Sequence, residues 1–226
     1  MDSSLIEMEK LIKNRSRIYS FLARIYRTEV DKELLSQLSS LTIPENADIP
    51  GVSEGIRLLV NYVKHSMEDT LIELAVDYAR IFLGTGVQSG EGAYPFESVY
   101  TNPYKLVMQE ARDEVFNLYR KAGLIPSQDI GVPEDHVAFE LEYMVHLCED
   151  TSDALAAGDT HGAVDYLTKQ KHFLEKHLLG SWMPAFCSDV QRVSKTDFYK
   201  AIAMITLEYQ KIDLHTISEL IEEMSR

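Results

Sequence analysis

The chain has 226 residues, 45% hydrophobic and 26% charged, the balance of a globular protein long enough to bury a sizeable core. Its formal net charge of −14, with no basic patch or stripe in the sequence, argues against nucleic acid and against anionic lipid as partners. No apolar run approaches the roughly 20 residues of a membrane span. Residues 1–7 lack the apolar stretch of a signal peptide. Cys148 and Cys187 form no CxxC motif, which predicts a reduced, cytoplasmic protein with both cysteines as small core residues.

Apolar residues recur at three- and four-residue steps through most of the chain. Leu5, Met8, Leu11, Ile12, Ile18, Tyr19, Leu22, Ile25 and Tyr26 predict one long amphipathic first helix. Asp31 caps a short second helix carrying Leu34, Leu35 and Leu38, and prolines and a glycine make 42–51 a loop. A third helix starts at Ser53 and runs through Ile56, Leu59, Val60 and Val63. Thr70-Leu71-Ile72-Glu73 has the form of a capping box and opens a fourth, through Leu74, Tyr78 and Phe82. Glycines at 84, 86, 90 and 92 mark a loop that ends at Pro95. Asn102-Pro103 opens a fifth helix ended by Gly123, and Pro133 a sixth closed by Gly158. Asp159 caps a seventh that Gly180 ends, and Ser181 starts a short eighth segment. Phe198, Ile202, Ile205 and Tyr209 belong to a ninth helix, and Asp213 caps a tenth. No stretch alternates with period two, so the predicted class is all-α, about ten helices in a single domain over 1–226. The stretch 124–132 is either a plain surface loop or a hinge between a body of 1–123 and a helical bundle of 133–226.

Charge is distributed unevenly. Between Lys121 and Lys169 there is no lysine or arginine, and the forty-seven positions between them carry ten carboxylates. A second basic-free window spans 81–104. Each window holds an uncommon polar-aromatic string: Pro133-Glu134-Asp135-His136, running into a helical pattern that contains Glu140, and Tyr94-Pro95-Phe96-Glu97-Ser98-Val99-Tyr100. Surfaces built from them attract a cationic, partly apolar ligand. Most established chemistry finds no motif. Glu-x-x-His, His-Glu-x-x-His, a P-loop and Gly-x-Ser-x-Gly are all absent. His136 and Glu140, four apart, read as part of a metal site or as an ordinary polar pair on a helix face. Phe96, Tyr100, Tyr78 and Phe82 read equally as core aromatics.

Taken in order, three strings resemble the TorD/DmsD/NarJ family of redox-enzyme maturation chaperones. They are Asp77-Tyr78-Ala79-Arg80-Ile81-Phe82-Leu83-Gly84, the segment from Tyr94 to Tyr100, and Pro133-Glu134-Asp135-His136. The likeness extends through Phe173-Leu174-Glu175-Lys176-His177-Leu178 to Trp182-Met183-Pro184-Ala185-Phe186. Ile81 stands where the family usually has Leu, Val132 where its Glu-Pro-x-Asp-His begins with Glu, and Phe96 and Glu97 where Trp and Gly are frequent.

The resemblance implies an all-helical cytoplasmic chaperone, not an enzyme, with no cofactor of its own. Its partner would be the twin-arginine leader, and the precursor, of a molybdenum-containing oxidoreductase subunit of the dimethyl-sulfoxide or trimethylamine-oxide reductase type. The protein would be a monomer or a dimer swapped about 124–132. The expected leader-binding residues are Tyr78, Phe82, Tyr94, Phe96, Glu97, Ser98, Tyr100, Pro133, Glu134, Asp135, His136 and Glu140. Carboxylates would take the arginines, aromatics the apolar segment, and His136 would add pH dependence near neutrality. Two other readings stay open: a metal- or nucleotide-dependent enzyme using Asp135, His136 and Glu140, and a helical scaffold for a folded partner.

Overall fold

The computed structural model describes residues 3–40, 49, 51–84, 92–124 and 131–225. Within these the chain is all-α. The elements are α1 (Ser3–Arg27), α2 (Lys32–Ser39), α3 (Val52–Lys64), α4 (Thr70–Phe82), α5 (Glu97–Thr101), α6 (Glu110–Lys121), α7 (Val137–Ala156), α8 (Thr160–Lys176), α9 (Met183–Val193) and α10 (Asp197–Met224). A π-helical turn, Leu178–Trp182, stands between α8 and α9. The extended backbone among the described residues pairs once, in an isolated antiparallel bridge between Phe96 and His136. The expected loops at 42–51 and 84–92 and the expected hinge at 124–132 fall largely outside the described residues.

The chain forms two compact units. The first contains α1, the segment 96–182 and α10 from Gln210 onward. Here α1 packs along α7, and α7 along α8. The 3.6-residue periodicity of α1 explains the seam: Met8, Ile12, Tyr19, Leu22, Ile25 and Tyr26 are buried, and Lys10 and Lys13 face water. Burying each large apolar side chain is worth about 1.5–3 kcal/mol, so this seam dominates the unit's stability. One charged group lies inside it. Arg15 is buried and donates to Asp213 Oδ1 (2.5 Å), Asp213 Oδ2 (2.9 Å) and Gln170 Oε1 (2.6 Å), and the Tyr19 hydroxyl donates to Asp213 Oδ2 (2.6 Å). Burial disfavours the Arg15 charge, but Asp213 outweighs it and leaves the guanidinium pKa above its ordinary value. Cys148 borders this network, and burial pushes its thiol up to about 12, as an inert core residue.

The second unit contains α2, α3, α4, α9 and α10 up to Tyr209. Asp31 caps α2 as expected, accepting from Leu34 N at 2.8 Å. Gly55 lets α3 approach α10 closely: a Cβ there would lie 2.8 Å from Ile205 Cγ1 and 3.2 Å from the Ala201 carbonyl oxygen. Asp77 receives the backbone N–H of Thr196 (2.8 Å) and the Thr196 hydroxyl (2.7 Å), which fixes the start of α10.

Several boundaries differ from expectation. Asn102-Pro103 does not start a helix. The Asn102 side chain accepts from Tyr104 N at 2.8 Å, and Lys105 and Met108 adopt left-handed backbone (φ 53° and 58°), so α6 begins only at Glu110. The residues between the expected loop end at Pro95 and Asn102 form α5. Pro133 precedes a turn closed by His136 N on its carbonyl (3.2 Å), and His136, not Pro133, heads α7. The ninth and tenth helices are one α10, and Asp213, expected as a cap, lies inside it as the partner of Arg15. Gly180 does not end α8; it sits in the π turn, where a Cβ would lie 1.9 Å from the Glu175 carbonyl oxygen. Thr70 forms no capping box: Asp69 stands at the N-cap without a side-chain hydrogen bond, and Thr70 Oγ1 accepts from Met67 N at 2.7 Å.

Candidate functional site

The two basic-free strings meet in the first unit. Glu97 N donates to the Asp135 carbonyl oxygen (3.0 Å), and Phe96 and His136 form the antiparallel bridge. The Asp135 side chain then reaches into the first turn of α5, where Oδ2 accepts from Ser98 N (2.8 Å) and from the Ser98 hydroxyl. Ser98 Oγ in turn accepts from Gln109 N (3.1 Å), tying the start of α6 to the same point. A carboxylate at a helix start is favoured by the free N–H groups there, which explains why this Asp-His string docks on this helix.

Behind the junction lies a buried group of three carboxyls. Glu97 is 3% exposed, and Asp135 and Glu140 are 0% exposed. Glu97 Oε2 meets His177 Nδ1 at 3.0 Å, and its Oε1 accepts from Ser181 Oγ at 3.1 Å. Glu140 Oε2 accepts from Trp182 Nε1 at 3.1 Å. The π turn is what brings Ser181 and Trp182 to these acids. Asp135 Oδ1 and Glu140 Oε1 are buried and receive no hydrogen bond from a nitrogen or hydroxyl group among the described residues, and Glu140 lies within hydrogen-bond reach of the Glu97 carboxyl. Burial, then neighbouring Glu97, raises the Glu140 pKa well above the usual carboxylate range. Burial likewise raises Asp135, against the pull of its two Ser98 hydrogen bonds. Tyr119, buried beside all three acids, has its hydroxyl pushed up by burial and then by Glu140.

Glu134 differs from its neighbours. It forms a two-pronged pair with Arg112, at 2.5 and 2.8 Å, so its charge is already met from within the chain. His136 also differs from expectation. Its Nδ1 accepts from Ala138 N at 3.1 Å, which caps α7, and burial followed by the nearby Arg27 charge lowers its pKa to about 3. It is no titrating group near neutrality. Phe96 packs edge-on against the His136 ring, and Tyr100 lies 5.6 Å from Trp182; both are half-buried.

Tyr78, Phe82 and Tyr94 belong to the second unit. Tyr78 and Phe82 are buried with Phe186 and Tyr199 in an aromatic cluster with ring separations of 5.1–6.2 Å. Their role there is packing between α4, α9 and α10. Tyr94 is half-buried.

Two features were missed in the sequence. A cavity of about 390 Å³ opens onto Glu97 and Ser181 and is also lined by Glu110, Glu114 and Lys176, with Lys176 paired to Glu114 at 2.9 Å. Beside it, the loop between α5 and α6 exposes Tyr104, Leu106, Val107 and Met108. Its ends at Asn102 and Gln109 line the cavity, and left-handed Lys105 and Met108 flank Leu106 and Val107. The sequence signal was there: four large apolar side chains within five residues, beside a proline, in a stretch assigned to an ordinary helix face.

Comparison with known proteins places this arrangement. The nitrate reductase delta subunit family matches residues 45–188. The chain is 27% identical over 223 residues to the chaperone protein TorD of Vibrio cholerae serotype O1 (strain ATCC 39541), covering 96% of this chain and 98% of that one. The TorD chaperones of Aliivibrio salmonicida and Shewanella pealeana are each 24% identical, over 92% and 94% of this chain and 96% and 94% of theirs. These relatives are named as chaperones. The chain belongs to the nitrate reductase delta subunit family.

Proposed function

We propose that the protein is a cytoplasmic chaperone for a molybdenum-containing oxidoreductase subunit, and that it binds that subunit's twin-arginine leader, holding the subunit back from export until its molybdopterin cofactor is inserted. The observation that carries the reading is the buried carboxyl group of Glu97, Asp135 and Glu140, in which two oxygens receive no hydrogen bond from a nitrogen or hydroxyl group among the described residues. Leaving such acceptors unpaired costs about 1–3 kcal/mol each, an expense that a ligand with several fixed donors removes. A guanidinium supplies five donors in a plane and stays charged, so it complements this cluster better than an ammonium. The cavity on Glu97 is its path inward, and exposed Tyr104, Leu106, Val107 and Met108 take the apolar segment that follows the arginines in a leader.

Of the residues expected to bind, Glu97, Asp135 and Glu140 carry the arginine in this reading. Ser98, Pro133, Glu134 and His136 position them, and Phe96 and Tyr100 wall the cluster. Tyr78 and Phe82 act through packing of the second unit. Calorimetric titration of a twin-arginine leader peptide tests the proposal. Replacing Arg-Arg by Lys-Lys should weaken binding by about tenfold or more, the worth of one charged hydrogen bond. Equal affinity for the two peptides, or no heat at high micromolar concentration, would overturn it.

A further inference from the structure

Lys121 and Lys169 bound the long basic-free stretch, forty-eight positions apart, and the fold brings them to one opening. Both line a cavity of about 290 Å³ set between the end of α6 and the faces of α7 and α8. Its floor is apolar and aromatic. Leu118 and Leu147 sit beside Tyr143, which stands edge-on to Phe173 at 4.8 Å. His172 and Tyr166 complete the wall, and the Lys169 ammonium lies 4.4 Å from the centre of the Tyr166 ring. Asp150 also lines the cavity and faces His146 at 3.4 Å. Two lysines against one aspartate give the mouth a formal charge of +1, in a chain whose net charge is −14. No carboxylate pairs with Lys121, Lys169 or His172 among the described residues.

This is a different site from the acid cluster, with opposite charge. A volume of 290 Å³ is at the small end of ligand cavities, and an aromatic floor suits a flat ring. A ring alone would leave the cations at the mouth without a counter-charge. We propose that this cavity binds a small aromatic acid, ring inward against Tyr143 and Phe173, anionic group outward between Lys121 and Lys169. Phe173 also stacks on His177 at 5.1 Å, and His177 contacts Glu97, so the cavity and the acid cluster share a wall.

The probe is 2-naphthoate, with uncharged 2-naphthamide as its control, followed by ¹H–¹⁵N shift perturbation on the full chain. The acid should bind saturably and perturb the amides of Tyr143, Leu147 and Tyr166, with the amide about tenfold weaker, the scale of two exposed ion pairs. Lys121→Glu combined with Lys169→Glu, both on exposed side chains, should cost the acid about tenfold and leave the amide unchanged. Equal binding of acid and amide, perturbation mapping elsewhere, or no saturable binding of the acid at about 5 mM would overturn the proposal.

Discussion

The first unit buries two polar clusters of opposite design. Around Arg15, the fold supplies its own cation: Asp213 receives it through two oxygens, and Tyr19 and Gln170 fill further positions. Around Glu97, Asp135 and Glu140 the fold supplies hydroxyl, indole and imidazole groups but no arginine or lysine to the three acids. The nearby arginines go elsewhere, Arg112 to Glu134 and Arg27 to Glu142. Burying carboxyls without a cation costs stability, which a cationic ligand would offset. Each cluster leaves a polar atom without a hydrogen-bond partner among the described residues, Nη1 at Arg15 and Oδ1 and Oε1 at Asp135 and Glu140. The two differ in charge: the first pairs its acid with a cation, and the second, in the proposed reading, takes its cation from the leader.

That contrast is open to direct attack. The largest effect should come from Arg15→Leu, which leaves Asp213 buried without its cation and should cost about 3–5 kcal/mol in denaturant unfolding. Adding Asp213→Leu should recover part of that loss. A cost below about 1 kcal/mol for the single change would make the Arg15 clasp ornamental and erase the comparison. Glu97→Gln should leave the fold standing and reduce leader-peptide affinity by about tenfold to a hundredfold, because one charged hydrogen bond is worth about 1.5–3 kcal/mol. Unchanged affinity would move the arginine away from Glu97.

His136→Ala should cost about 1 kcal/mol at pH 8 through loss of the α7 cap. The pH sign follows from its pKa of about 3 in the fold against about 6.5 in an unfolded chain. The His136 contribution is intact above about pH 6.5 and declines as pH falls toward 3, so the wild-type advantage should shrink in acid. A constant difference across that range would mean the histidine is not held neutral.

The smallest effect is Glu140→Gln, which should change stability by under about 1 kcal/mol in acid below the ordinary carboxylate pKa, where the carboxyl is protonated in both states. Glu140 has the opposite sign to His136. Its raised pKa gives a contribution present below the unfolded value and lost as pH rises through the folded one. Wild type should therefore lose melting temperature on raising the pH relative to Glu140→Gln. Parallel melting curves would count against a proton-holding cluster.

The sequence was read well where one side chain or one period decides the outcome. The α1 stripe from Met8 to Tyr26, apart from exposed Leu11, the Asp31 cap and the Asp159 cap on Gly162 N (2.9 Å) are local, and all three are present. It misled where a distant partner decides. Asp213 has the composition of a cap, yet a residue 198 positions away turns it into the centre of a helix face. Pro103 has the composition of a helix start, yet Asn102 and two left-handed residues keep the chain open to Gln109.

The site was legible in part. That Ser98 and Asp135 would touch could be hoped for from the two basic-free strings, and they do. That Glu134 would be answered by Arg112 could not, since nothing local links residues 22 apart in sequence. His177, Ser181 and Trp182 were visible as a string but carried no chemical signal until the π turn folded them over the acids.

The most direct test of the acid cluster is the proton balance of leader binding. A guanidinium entering beside Asp135 and Glu140 favours their ionised forms and opposes the proton that burial retains there. Calorimetric titration of a twin-arginine leader peptide near pH 6, in two buffers of different ionisation enthalpy, reads that proton. The expected result is release of about one proton per peptide, lost in Glu140→Gln, with wild-type affinity rising as pH is raised. Tight binding with no proton released would contradict it.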